Sequence, residues 1–137
     1  MTTNLQTAIK NVYKTFASYT LRSQIDGCPC CVSDSDQETI HQKPLRQLTH
    51  DDLARYTFKA MTTWGDTSDF KHFLPRMLEL MAQTDFAADT ALVLRKLQYA
   101  NWHQWPADEL NGITNFLMSW WSEQILLKSW SDTSLFV

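Results

Sequence analysis

The sequence predicts an all-α protein, and three observations support this fold class. Of the 137 residues, 44% are hydrophobic and 20% are charged, which is an ordinary balance for a globular domain that buries a core. Only three glycines and four prolines are present, too few for the turn every 8–12 residues or so that an all-β domain requires. Apolar residues also recur at helical spacing in about five segments. The length fits a single domain over residues 1–137.

The first predicted helix covers about residues 4–19, with Thr3 or Asn4 as its N-cap. Its apolar residues return every three or four positions: Leu5, Ile9, Val12, Tyr13 and Phe16. Residues 21–48 then lose the helical period and contain two prolines and all three cysteines. Loops longer than about 12–15 residues without structure of their own are uncommon in compact domains. We therefore expect this long irregular loop to be functional, tied down or disordered.

The second and third predicted helices form a pair joined by a short connection. The second begins at the N-cap Thr49, carries Asp51 and Asp52 in its first turn and ends at Gly65. The third follows Ser68, and Pro75 inside it predicts a kink or a fresh helix start. The apolar residues expected to face the core are Leu53, Tyr56, Ala60, Trp64, Phe70, Phe73, Leu74, Met77, Leu78 and Met81.

The last two predicted helices cover about residues 86–100, starting at Phe86, and about residues 106–130, ending near Trp130 with a bend near Gly112. Their apolar residues are Val93, Leu94, Leu97, Ala100, Leu110, Ile113, Phe116, Leu117, Trp120, Trp121, Ile125 and Leu127. A helix as widely apolar as the last one requires cover from the core or from a partner. Trp64 ends the second predicted helix and Trp102 ends the fourth, and each is followed by a short connection to a longer helix. This repetition indicates helix pairs of the HEAT type, and orthogonal packing of the helices is the alternative.

Charge and cysteine content narrow the expected environment. The formal net charge of −3 does not favour binding to nucleic acid or to an anionic membrane. The first residues lack the basic and apolar regions of a secretory signal, and no stretch reaches the roughly 18 apolar residues of a membrane span. Three cysteines within four residues do not form a disulfide framework. We expect a cytoplasmic protein.

The cysteine segment is the first candidate site. Cys28 and Cys31 have the C-x-x-C spacing at which two thiolates can bind one zinc ion, with Cys30 and His41 as further candidate ligands. Zinc would also explain how a long loop is held in place. Two alternatives remain open: reduced thiols that pack as small apolar groups, and a thiol–disulfide redox pair.

The second candidate site is a basic face. Arg55 and Lys59 lie one turn apart on the second predicted helix, and the third carries Lys71, His72 and Arg76. If these two helices pack side by side, the five residues border a groove that could bind a phosphate, a carboxylate or an acidic peptide. The alternative is a solvated surface whose cations pair with neighbouring acidic residues.

Two tryptophans before the last helix form the third candidate. Trp102 and Trp105 could line a ligand pocket or a partner site. Alternatively, Trp105 packs back onto the following helix as a hydrophobic staple. Glycine-rich phosphate loops, H-E-x-x-H and G-x-S-x-G are absent from the sequence, so we assign no catalytic residue.

The block from Cys28-Pro-Cys-Cys to Lys71-His-Phe-Leu-Pro-Arg76 resembles a group of bacterial all-helical proteins of unassigned function that share a Cys-Pro-Cys-Cys segment. The resemblance covers about a third of the chain and implies no activity. From the residues themselves we expect a non-enzymatic protein-interaction or scaffold module that binds a protein partner or a second copy through its last helix. The alternatives are a zinc-stabilised regulatory protein and a thiol–disulfide redox protein.

Overall fold

Six α-helices make up the part of the chain that the computed structural model describes: the backbone of residues 2–83 and 87–135, and the side chains of residues 2–83 and 89–126. In chain order the helices are α1 (Thr3–Thr15), α2 (Asp34–His41), α3 (His50–Lys59), α4 (Thr67–Gln83), α5 (Ala87–Tyr99) and α6 (Ala107–Leu135). Short 3₁₀ helices, Leu45–Gln47 and Trp102–Gln104, precede α3 and α6. These described residues include no β-strand, so the all-α prediction is confirmed.

The main helix pairing joins α1 to α6 in antiparallel orientation. The backbone N–H of Thr2, at the start of α1, donates to Glu123 Oε1 at 2.7 Å, while Thr15 at the end of α1 lies beside Gly112. At 1.5 Å per residue, the 13 residues of α1 span about 20 Å and the 29 residues of α6 about 43 Å. The C-terminal part of α6 therefore extends past the start of α1. Among the described residues no helix, α6 included, has the length and hydropathy that a membrane crossing requires.

The core lies where α3 and α4 pack against their neighbours and contains most of the apolar residues that the sequence places inside. At its centre the ring of Tyr56 is 5.3 Å from that of Trp64 and 4.5 Å from that of Phe73, measured between centroids. All three side chains are buried. Close packing of large aromatic rings of this kind accounts for much of the apolar area that such a small domain removes from water.

The stretch between residues 21 and 48, which we expected to be irregular, contains the additional helix α2. Ser33 and Asp36 cap it reciprocally: Asp36 N–H donates to Ser33 Oγ at 3.1 Å and Ser33 N–H donates to Asp36 Oδ2 at 3.0 Å. Its eight residues contain one apolar residue, the buried Ile40. A single apolar residue cannot show the helical repeat of apolar positions, so the capping box was the sequence signal by which α2 could have been predicted.

Several helix ends differ from the predicted ones. The second predicted helix ends at Lys59 rather than at Gly65, because the chain turns through Met61 with a φ of 65° and Gly65 with a φ of 71°. No new helix starts at Pro75, since α4 continues through it, and α6 likewise continues through Gly112. The last helix extends to Leu135, beyond the predicted end at Trp130. The predicted start at Phe86 and the side chain of Leu127 lie outside the described residues.

Candidate functional site

The cysteine segment is fastened to the residues that follow α3. The backbone N–H of Cys28 donates to the carbonyl of Thr63 at 2.8 Å, and the N–H of Gly65 donates to the carbonyl of Asp26 at 2.6 Å. These bonds form a short antiparallel pairing between two loops that are far apart in sequence. The expectation that something ties this segment down therefore has a structural basis in backbone hydrogen bonds.

A tight turn brings Cys28 and Cys31 together. The N–H of Cys31 donates to the carbonyl of Cys28 at 2.9 Å, so Cys28 and Cys31 are the first and fourth residues of the turn. Pro29 is the second residue, where its fixed φ suits a turn. The N–H of Val32 donates to the same carbonyl at 2.9 Å. Cys28 and Cys31 are half-buried, whereas Cys30 is exposed at the tip.

The pKa values of the two outer thiols, Cys28 and Cys31, are shifted in opposite directions. Hydrogen bonds from the backbone N–H of Cys30 and from the thiol of Cys31 lower the pKa of Cys28. The pKa of Cys31 is raised because its thiol donates to Cys28 and because burial disfavours its thiolate. Cys28 is therefore the sulfur that more readily becomes a thiolate.

His41, the fourth candidate metal ligand, has both ring nitrogens occupied by backbone carbonyls. Nδ1 lies 2.6 Å from the carbonyl oxygen of Gln37, and Nε2 lies 2.8 Å from that of Arg22. Within the described ranges, no three His, Cys, Asp or Glu side chains converge as ligands for a metal ion. His41 is therefore engaged by backbone carbonyls, and zinc binding by Cys28, Cys30, Cys31 and His41 stays a prediction.

The basic residues of α3 converge on the carboxylate of Asp36 in α2. Arg55 Nε lies 2.7 Å from Asp36 Oδ1, and Lys59 Nζ lies 3.6 Å from Asp36 Oδ2 while also contacting the carbonyl of Cys31. The hydrogen bond from the Ser33 N–H, followed by that from Arg55, lowers the pKa of Asp36 although burial opposes the shift. Arg55 and Lys59 thus connect α3 to α2 and to the cysteine turn.

Lys71 of α4 belongs to a separate, buried cluster. Its ammonium lies 2.6 Å from Glu109 Oε1 and 4.5 Å from the ring centroid of Trp105. The hydroxyl of Tyr19 donates to Glu109 Oε2 at 2.5 Å. Burial opposes ionisation of Lys71, but its hydrogen bonds to Glu109 and Tyr19 raise its pKa and keep it charged. This ion pair joins α4 to the start of α6.

His72 and Arg76 have further partners of their own. His72 Nδ1 lies 2.8 Å from the carbonyl oxygen of Tyr19. Arg76 Nε donates to the carbonyl of Leu48 at 2.7 Å, and its Nη1 lies 2.6 Å from a carboxylate oxygen of Glu79. The five basic residues considered as one groove therefore do not share a single set of acceptors.

Trp102 and Trp105 also differ in their surroundings. Trp105 is buried, its Nε1–H donates to the carbonyl of Ala100 at 3.0 Å, and its ring meets that of Phe16 edge-on at 5.9 Å. Trp102 is half-buried, with its ring 4.0 Å from that of His103. Trp105 thus joins α1 to the loop before α6, whereas Trp102 is partly accessible.

Sequence reasoning missed the pairing of a buried acidic residue of α4 with Arg22, in the loop that precedes the cysteine segment. Asp69 is buried, and Arg22 reaches it with two bonds, Nε to Oδ1 at 2.9 Å and Nη2 to Oδ2 at 2.5 Å. Burial opposes ionisation, but the hydrogen bonds from Arg22 and from the N–H of Asp66 lower the pKa of Asp69. The sequence signal was Asp66-x-x-Asp69 at a helix start, with the same spacing as the capping boxes of α2 and α3.

Among the described side chains, a group of exposed apolar residues lies on α6. From Leu110 to Leu126 the only charged residue is Glu123, which is buried against α1. The large apolar side chains on the open side, with their exposed fractions, are Met118 (67%), Trp121 (59%), Ile125 (50%) and Leu126 (52%). Spacings of three, seven and eight residues place them on one face of the helix. These four residues are called the α6 face below.

A small cavity lies between α3, α4 and α5. Its wall is largely apolar and includes Leu53, Met77 and Val93. At its edge Nε2 of His50 lies 2.8 Å from Oδ2 of Asp89. Among the described residues that line the cavity, the one further polar side chain is Thr57, whose hydroxyl donates to the carbonyl of Leu53, so we assign the cavity no ligand.

Comparison with known proteins gives this chain no relative from which a role could be carried over. No family model, no curated protein and no solved structure matches it. Its function is therefore inferred from the contacts and exposure of its own residues.

Proposed function

We propose that this chain is a helical protein-interaction module that pairs with a second copy of itself through the α6 face. The observation that carries the proposal is the absence of exposed charge from Leu110 to Leu126 of α6, combined with four large apolar side chains that are at least half exposed. Contiguous exposed apolar surface of this kind is typical of interaction sites.

A second copy fits this surface for electrostatic and geometric reasons. A two-fold symmetric pair places the same patch against itself, so any exposed charge in the patch would meet its like. The α6 face has no exposed charge to repel its copy. Because α1 begins beside Glu123, the later turns of α6 extend beyond the start of α1.

The available area predicts a weak dimer. With roughly 200 Å² for a fully exposed large side chain, the α6 face exposes about 450 Å² per copy, or about 900 Å² for a pair. Stable specific interfaces bury about 1,200–2,000 Å² in total. We therefore expect self-association with a dissociation constant in about the micromolar range or above.

Sedimentation velocity tests the proposal, with a matched pair of variants. Trp121→Glu places a charge within the α6 face, and Phe58→Glu makes the same kind of change at a side chain of α3 that is 69% exposed. The wild-type chain and Phe58→Glu should dimerise as concentration rises, and Trp121→Glu should remain monomeric. A wild-type chain that stays monomeric up to about 1 mM contradicts the proposal, as does equal loss of dimer in both variants.

A further inference from the structure

The cysteine turn places two thiols in contact at an accessible corner of the molecule, and the proposed dimer makes no use of them. The backbone N–H of Cys31 donates to the carbonyl of Cys28 and closes the turn, and the two thiols lie close enough to interact. The first and fourth α-carbons of such a turn lie within about 7 Å. A disulfide spans about 4.4–6.8 Å between α-carbons, so the reduced turn already has a backbone that a disulfide can bridge.

The contacts around these sulfurs give the two cysteines different parts in an exchange reaction. The sulfur of Cys28 accepts hydrogen bonds from the backbone N–H groups of Cys30 and Cys31, and such bonds favour the thiolate, which is the attacking form. Its contact with Cys28 and its burial both raise the pKa of Cys31, so this thiol keeps its proton at the first step. The ammonium of Lys59 contacts the carbonyl of Cys31. From this position its positive charge favours the thiolate of Cys31, which Cys31 must form before it attacks.

We propose that Cys28 and Cys31 form a thiol–disulfide exchange site whose oxidising substrate is a small-molecule disulfide of the glutathione class. The thiolate of Cys28 attacks one sulfur of the substrate; a mixed disulfide forms, the substrate S–S bond breaks, and one thiolate leaves and is protonated by solvent. Cys31 then loses its proton to solvent and attacks the sulfur of Cys28. The Cys28–Cys31 bond forms, the mixed disulfide bond breaks, and the second half of the substrate leaves as a thiolate that solvent protonates. Two protein thiols are oxidised and one disulfide is reduced to two thiols.

Glutathione disulfide is the probe that tests this site on the full chain. After incubation, acid quenching and alkylation, mass spectrometry should find Cys28 linked to Cys31 and Cys30 alkylated. In Cys31→Ser the second step has no attacking thiol, so a glutathione adduct should accumulate on Cys28. Cys28→Ser should react at least about tenfold more slowly than wild type, because the attacking thiolate is gone.

Cys30→Ser is the matched control, since it removes a thiol from the same turn and leaves the proposed pair intact. It should form the same disulfide at the wild-type rate. Unchanged oxidation of Cys28→Ser, or a wild-type disulfide that contains Cys30, overturns the proposal. Circular dichroism of each variant establishes that it is folded. Trp121→Glu should form the Cys28–Cys31 disulfide normally, so failure of the dimer and failure of the exchange site are distinguishable.

Discussion

Lys71→Met should destabilise the protein far more than loss of a lysine usually does. The ammonium of Lys71 and the carboxylate of Glu109 are 2.6 Å apart, with side-chain exposures of only 10% and 8%. Removing the ammonium leaves the carboxylate of Glu109 buried without its cation. The hydroxyl of Tyr19, 2.5 Å from the other oxygen of Glu109, becomes its main remaining donor.

The expected loss of unfolding free energy is about 3 kcal/mol. Breaking a buried ion pair by removing one partner costs about 3–5 kcal/mol, mainly because the other charge remains buried. The hydrogen bond from Tyr19 to Glu109 remains, so the expected loss of unfolding free energy lies near the lower end of that range. The variant also loses the contact between the ammonium and the ring of Trp105, 4.5 Å away, which increases the loss.

Urea unfolding followed by far-ultraviolet circular dichroism measures this loss. The matched control is Lys10→Met on the exposed side of α1, where a change within about 0.5 kcal/mol is expected. The double variant Lys71→Met/Glu109→Gln should recover at least about 1 kcal/mol relative to the single variant, because the unpaired charge is gone. A loss below about 1 kcal/mol for Lys71→Met, or no recovery in the double variant, refutes this account of the pair.

The remaining predictions concern backbone conformation, acid stability and helix capping. Gly65→Ala should cost at least about 1–2 kcal/mol, since Gly65 has a φ of 71° and an added Cβ would lie 2.7 Å from Asp69 Oδ2. Gly112→Ala should instead raise stability by about 0.5–1 kcal/mol, because its Cβ would find ordinary contacts inside a helix; urea unfolding that ranks the two glycines the other way contradicts this. The pKa of Asp69 is lowered in the folded protein, so its contribution to stability is present above the unfolded pKa of about 3.9 and is lost as pH falls through the folded pKa. An acid titration by circular dichroism should therefore be less steep for Asp69→Asn, and an unchanged profile would remove Asp69 from this role. Ser33→Ala should cost about 1 kcal/mol by urea unfolding through loss of the α2 cap, whereas no change would mean that α2 does not depend on it.

Features that depend on neighbours within one turn were predictable. Thr49 and Asp52 cap α3 as their spacing indicates, since capping joins residues three positions apart. The helical period of apolar residues located the core, because that period is the consequence of one helix side facing inward. Where the period is missing, as in α2 with Ile40 as its one buried apolar residue, the helix was missed.

The partners of the charged side chains were not predictable to the same degree. Lys71 and His72 are adjacent in the sequence, yet one pairs with Glu109 and the other with the carbonyl of Tyr19. Arg22 reaches Asp69 across 47 positions. Such contacts depend on how helices and loops are placed in space, and an isolated basic residue carries no information about its distant acceptor.

The sequence by itself determined the fold class, the apolar face of nearly every helix and the C-x-x-C spacing, because each depends on local geometry that a few neighbouring residues set. Tertiary structure decided which of these features are available for function. Packing of α1 along α6 buries Glu123 and leaves the α6 face open, and pairing of Cys28 with Thr63 holds the cysteine turn at the surface. Exposure and long-range contact are properties of the packed chain, so they follow only when distant segments come together.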